Sequence, residues 1–160
     1  MSKPPVRTER DEISKRRLRL WLRLLRTTKR VESDLREFLR EDHDTTLPRF
    51  DVLATLDREE NGLKMSELSR RLLVSNGNVT GIVERLVVDG LVMRVPIDDD
   101  KRAMRVRLTP NGKSMFADMA NGHENLVNEL FSDLDHDALD ALVVELGKLK
   151  RIRRGADETG

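Results

Sequence analysis

Between residues 47 and 109 the apolar period of the chain switches from helical to strand-like, and this limits its folds more than any other feature. Leu47-Pro48 opens a helical stretch, with proline at the first turn and Phe50, Leu53 and Leu56 on one side. Asn61-Gly62 marks a turn. Ser66 stands where it would cap a short helix through Leu68, Leu72 and Leu73. Val74-Ser75-Asn76 breaks that helix, and Ser75 would cap the next, which Gly90 ends. From there the period is two. Residues 91–95 read as a strand closed by Pro96, and 97–103 as a polar loop. Residues 104–108 read as a returning strand, with Met104, Val106 and Leu108 inward and Arg105 and Arg107 outward.

Two short helices across a tight turn, followed directly by a charged β-hairpin, make the winged helix-turn-helix order. The second helix buries Val79, Ile82, Val83 and Leu86. Its other face carries Asn76, Gly77, Asn78, Thr80, Gly81, Glu84 and Arg85, mostly short hydrogen-bonding groups of the kind that reach base edges in a major groove. Gly77 and Gly81 lie about one turn apart, and each costs a helix about 1 kcal/mol relative to alanine. Either a groove wall comes close there, or a neighbouring helix packs tightly. In the loop Asp98-Asp99-Asp100-Lys101-Arg102-Ala103, Arg102 suits the negative potential of a minor groove, with Asp100 holding its guanidinium. The plain alternative is a solvated charged turn.

Upstream, residues 13–42 read as one long helix with Leu18, Trp21, Leu25, Thr28, Leu35 and Phe38 at helical spacing. Residues 18–24 also alternate, but the length of the segment and its few β-branched residues favour a helix. Leu20, Leu22 and Leu24 make it apolar around much of its girth, as a helix shared between a core and a dimer interface needs. Thr109-Pro110 starts another helix, and a last one covers about 136–153, with Leu139, Leu142, Val143, Leu146 and Leu149 too apolar for a monomer surface. Charge is segregated. Residues 13–40 hold ten Lys/Arg against three Asp/Glu, whereas 121–147 hold seven Asp/Glu and no Lys/Arg. Arg16, Arg19, Arg23, Arg26 and Arg30 form a stripe along the long helix. It would pair with the acidic C-terminal helices, bind an anionic ligand, or serve a membrane-surface or protein–protein adaptor with Trp21 at the interface.

The remaining features mainly exclude functions. Among 160 residues there is no cysteine, so disulfides and thiolate metal sites are ruled out. No apolar run approaches the roughly 20 residues that span a bilayer. Residues 1–12 read as a polar, disordered lead-in without a signal sequence, and the expected location is the cytoplasm. His43, His123 and His136 are flanked by acids but lack paired ligand spacing, which leaves surface caps or turns and no metal site. No nucleophile triad, phosphate loop or HExxH motif is present, so no catalytic residues are expected and the chain does not read as an enzyme.

The run from Leu68 to Leu86, then Asp89-Gly90-Leu91-Val92, resembles the MarR family of bacterial regulators. So does Asp100-Lys101-Arg102 followed by Val106-Arg107-Leu108-Thr109 and Gly112, similar to the family's Asp-x-Arg wing leading into Leu-Thr-x-x-Gly. The resemblance extends over nearly the whole chain. It implies a mainly α fold: a dimerisation helix at 13–46, a winged helix-turn-helix region with a small β-hairpin wing at 47–109, and C-terminal dimerisation helices at 110–154. It further implies a homodimer on a palindromic operator in double-stranded DNA, acting as a regulator, expected to be a repressor, without a cofactor or a membrane partner. By position, Ser75, Asn76, Asn78, Thr80 and Gly81 would face the major groove and Arg85 phosphate or base. Arg102, oriented by Asp100, would enter the minor groove, with Arg105 and Arg107 near the DNA backbone. The family's ligand pocket would be lined here by Trp21, Leu25, Phe50, Phe116 and Met119, with Arg19, Arg23 and Arg26 beside it. An aromatic acid or its coenzyme A thioester is the effector expected from relatives tied to aromatic catabolism.

Overall fold

The computed structural model describes residues 9–72, 79–97 and 100–149, with the backbone alone at 100–103. Helix α1 (Glu9–His43) begins four residues before the expected start, so 9–12 belong to it and not to a disordered lead-in. Glu9, Asp11 and Glu12 in its first turn and Arg40 and His43 in its last complement the helix dipole, which accounts for the longer helix. It stops at Asp44, a non-glycine residue in the left-handed region (φ 46), and Thr45 N–H donates back to Leu39 O at 3.0 Å. Only Leu35 and Leu39 of α1 are buried. Leu18, Trp21 and Thr28 of the expected inward stripe are exposed, as are Leu20 and Leu22, while Leu25 and Phe38 are half-buried.

Helix α2 (Leu47–Asp57) starts at its proline as expected and buries Leu47, Phe50, Val52, Leu53 and Leu56. The chain turns at Gly62 (φ 73) into a two-residue strand, β1 (Leu63–Lys64), that the sequence reading missed. Helix α3 (Met65–Arg71) follows at once. Its cap is Lys64 and not Ser66, which lies inside the helix. The Glu67 carboxylate accepts from Lys64 N–H at 2.8 Å, and this bond holds the Glu67 carboxyl below its usual range. Helix α4 (Val79–Val88) closes with a Schellman arrangement, Gly90 N–H to Val87 O at 3.0 Å and Leu91 N–H to Leu86 O at 2.9 Å, with Gly90 at φ 70.

Strand β2 (Val92–Ile97) runs through Pro96, and β3 (Asp100–Leu108) begins at Asp100, so the expected polar loop is largely strand. The antiparallel sheet has the order β1-β3-β2, and β2 tolerates a proline because it is an edge strand. Val106 pairs with both Leu63 and Arg94; Val106 and Leu108 are buried, but Met104 is exposed, since the alternation outlasts the core beneath it. Helix α5 (Pro110–Leu130) is capped by Thr109, whose Oγ accepts from Gly112 N–H at 2.9 Å and donates to Gly90 O at 2.6 Å.

One apolar core joins Leu39, the inward residues of α2, Leu63, Leu68, Val79, Val83, Leu86, Leu91, Val92, Val106, Leu108 and Met119. All of it lies in the first of two compact units, Met1–Leu126. The second unit begins at Val127 and contains helix α6 (His136–Gly147), capped by the Asp135 side chain on Ala138 N–H at 2.9 Å. α6 stops well short of residue 153 and buries none of its residues. Among the described residues, no helix is long and apolar enough to cross a membrane.

Candidate nucleic-acid interface

Helix α4 is amphipathic in the sense its sequence requires. Val79, Val83 and Leu86 enter the core, while Thr80, Glu84, Arg85 and Val88 are exposed and Gly81 is half-buried. Asp89, just beyond its C-terminus, is ion-paired with Arg49 in the first turn of α2. Together with the Schellman closure, this fixes the position of α4 on the lobe. Ser75, Asn76 and Asn78, expected at its N-terminal end, lie outside the described residues, as do the side chains of Asp100 and Arg102.

Beside α4, the β2–β3 hairpin presents Arg94, Pro96, Met104 and Arg107 to solvent. Arg107 Nε donates to Met93 Sδ at 3.4 Å, and Arg94 Nη2 lies 3.9 Å from Glu84 Oε1 on α4. Arg105 behaves differently from Arg107. It is half-buried, its charge acts on Glu67 of α3, and its Nε is buried without a hydrogen-bond partner among the described residues. Arg105 thus lies on the outward face with Arg107, as the alternation requires, but is half-buried there. It sits opposite Lys64, where β1 adds a neighbour the sequence reading did not include.

The residues expected to line one ligand pocket separate into three places. Phe50 and Met119 are sealed in the core, with Phe116 packed at its edge 5.6 Å from the Phe50 ring. Within the chain these three side chains contribute to packing of the core. Trp21 is exposed on α1, and Leu25 is half-buried outside the core cluster. Arg19, Arg23 and Arg26 line a shallow groove of about 430 Å³ with Leu22 and Thr27, all on α1. The five stripe arginines are exposed, and none takes part in an ion pair among the described residues.

Two histidines pack against rings: His43 keeps its expected place in the last turn of α1, whereas His123 lies within α5 and not in a cap or turn. His123 stacks on Phe50 at 4.8 Å, and burial pushes its pKa down. His43 meets Phe38 edge-on at 5.2 Å. Gly122 lets Phe38 approach, because a β-carbon there would come within 2.5 Å of the ring. The sequence held a partial signal for this cluster: Phe38, Phe50 and Phe116 are three of only four phenylalanines.

Sequence reading also missed Asp51. Its Oδ2 is buried without a hydrogen-bond partner among the described residues. Burial, with Glu32 of α1 adding repulsion, raises its carboxyl from 3.8 to about 6. The folded chain therefore holds this proton more tightly than the unfolded one. Stability falls as pH rises from 3.8 through about 6 and is level above that. The shift corresponds to about 3 kcal/mol, but screening of this half-buried group reduces that to about 1 kcal/mol. Asp51→Asn is expected to gain about that amount near pH 8 and almost nothing near pH 4. Urea unfolding at both values checks it, and equal gains at both would show that proton binding is not the cause.

Comparison with known proteins gives a consistent result. The MarR family model matches residues 45–104. The transcriptional repressor YetL of Bacillus subtilis is 29% identical over 102 residues, covering 63% of this chain; the chain spans 61% of YetL's length. The transcriptional activatory protein BadR of Rhodopseudomonas palustris is 32% identical over 119 residues, 69% of this chain and 67% of BadR. A MarR family transcriptional regulator from Silicibacter pomeroyi superposes with a TM-score of 0.72 at 32% identity, over 88% of this chain and 96% of that one. This chain belongs to the MarR family of transcriptional regulators.

Proposed function

We propose that the chain works as a homodimer on a palindromic operator, with α4 in the major groove and the β2–β3 hairpin alongside, and that a small anionic ligand releases it. The observation that carries the DNA reading is α4 itself, held by one apolar face with Thr80, Glu84 and Arg85 presented to solvent next to a hairpin bearing exposed arginines. The exposed Leu18, Leu20, Trp21 and Leu22 of α1 and Leu142, Val143, Val144 and Leu146 of α6 support self-association. One relative is named a repressor and another an activator, so the sign of regulation does not transfer by likeness. Repression is the reading kept here.

For the effector, support comes from the α1 groove with Arg19, Arg23 and Arg26, because guanidinium groups pair carboxylates and phosphates bidentately. An aromatic acid or its coenzyme A thioester remains the proposed class.

The test combines DNA affinity with salt dependence. Arg102→Ala is expected to weaken binding and lower the salt slope by about one. Asn78→Ala is expected to leave the slope unchanged and cost about 1–3 kcal/mol on the operator only. Equal loss on operator and random DNA for Asn78→Ala would remove that helix end from the groove. In the same assay, aromatic acids and their thioesters are expected to release operator. Release by cationic compounds alone would refute the anion reading.

A further inference from the structure

Thr80, Glu84 and Val88 stand one turn apart along the middle of the exposed face of α4, opposite Val79, Val83 and Leu86. A carboxylate therefore occupies the centre of the surface that, on the reading above, enters the major groove. That placement is costly by default, because the groove is walled by phosphates and a carboxylate gains nothing from them. It becomes favourable where the carboxylate oxygen meets a base donor. Cytosine offers its N4 amine in the major groove with no acceptor beside it, whereas adenine sets the acceptor N7 next to its N6 amine, guanine presents the acceptors O6 and N7, and thymine the acceptor O4. A carboxylate at this point selects as much by rejecting guanine and thymine as by accepting cytosine.

The structure also shows what holds the carboxylate. Arg94 Nη2 lies 3.9 Å from Glu84 Oε1, and the Glu84 side chain remains 61% exposed, so the carboxylate stays open to a further donor. Arg94 comes from a different element, β2, where its backbone pairs with buried Val106 of β3. The guanidinium is thus anchored on the sheet. An exposed ion pair at this separation adds little to stability, which leaves orientation and charge compensation as its physical consequences.

We propose that Glu84 is a specificity-determining residue that accepts from the N4 amine of a cytosine in each half-site, and that Arg94 is its positioning residue. The proposal rests on the placement of α4 in the major groove and goes further by naming the base that its central side chain reads.

The experiment selects sites from randomised duplexes with the full-length protein and its variants, and follows the melting of each. Wild type is expected to enrich a cytosine at one symmetric position of each half-site. Glu84→Ala should lose about tenfold discrimination at that position and keep its other preferences. It should also bind random duplex more tightly, since one negative charge is gone. Arg94→Ala should blur the same position while Arg94→Lys keeps it, with unchanged melting in all the variants. If Glu84→Ala selects the same base at every position with the same strength, the proposal is overturned while the DNA reading stands. If Arg94→Ala leaves that position as sharp as in wild type, the positioning role is overturned. If wild type enriches no sequence at all, the placement of α4 in the groove fails and takes this proposal with it.

Discussion

Gly112→Ala is expected to cost about 3 kcal/mol, the upper end of what overpacking usually costs and a large share of the roughly 5–15 kcal/mol that holds a domain together. The added β-carbon would sit 1.9 Å from Leu91 O and 2.9 Å from Leu91 C. Both are backbone atoms, so no rotamer change relieves the contact. Nor can the helix start move away freely. Thr109 N–H donates to the same Leu91 O at 3.0 Å, and the Thr109 hydroxyl bridges Gly90 O and Gly112 N–H. The melting temperature should fall by roughly 6–12 °C for a chain of this size. Gly147→Ala provides the comparison, since nothing lies within 4 Å of a β-carbon there. That change should be neutral or stabilise by up to about 1 kcal/mol. Equal melting of the two variants would show that α5 does not start against the Leu91 backbone.

The other large effect concerns assembly. Leu142 and Leu146 lie one turn apart on α6 and are 47% and 42% exposed. Neither belongs to the core, so a double change to lysine removes no core packing from the lobe that carries α4. It does place two charges on a surface that is otherwise aliphatic. The variant is expected to be folded, monomeric by light scattering at micromolar concentration, and roughly 10²- to 10⁴-fold weaker on operator DNA because two-site binding is lost. Circular dichroism checks the fold. A variant that stays dimeric with full affinity would show that α6 does not form the interface.

Parts of the fold are written locally in the sequence. Pro48, Gly90 and Thr109-Pro110 each act within a turn of their own position, and α2, the end of α4 and the start of α5 fall where those residues put them. Non-local features were not legible. β1 is two residues long and has no periodicity; it exists because Gly62 lets the chain lie against Val106, where a β-carbon would come within 2.5 Å of the carbonyl. Met104 continues an alternation whose meaning depends on how far the core extends. Phe50 and Met119 illustrate the limit for a ligand site. An aromatic ring and a thioether look the same in sequence whether they pack against other residues or face an opening. His123 was read from its acidic neighbours in sequence, while its environment is set by Phe50, more than seventy residues away.

The sheet order β1-β3-β2 bears on the solubility of this chain. A hairpin that reaches into solvent leaves two strand edges open, and open edges invite pairing with other chains and aggregation. On one side β1 covers β3 at Arg105 and Val106, and β1 itself is two residues long, too short to template an added strand. The other carries Pro96, which has no N–H to offer an incoming strand, beside a register shift at Pro96/Ile97 and near the charged Arg94. The same irregularities that made β2 hard to delimit in the sequence make its edge a poor template for aggregation.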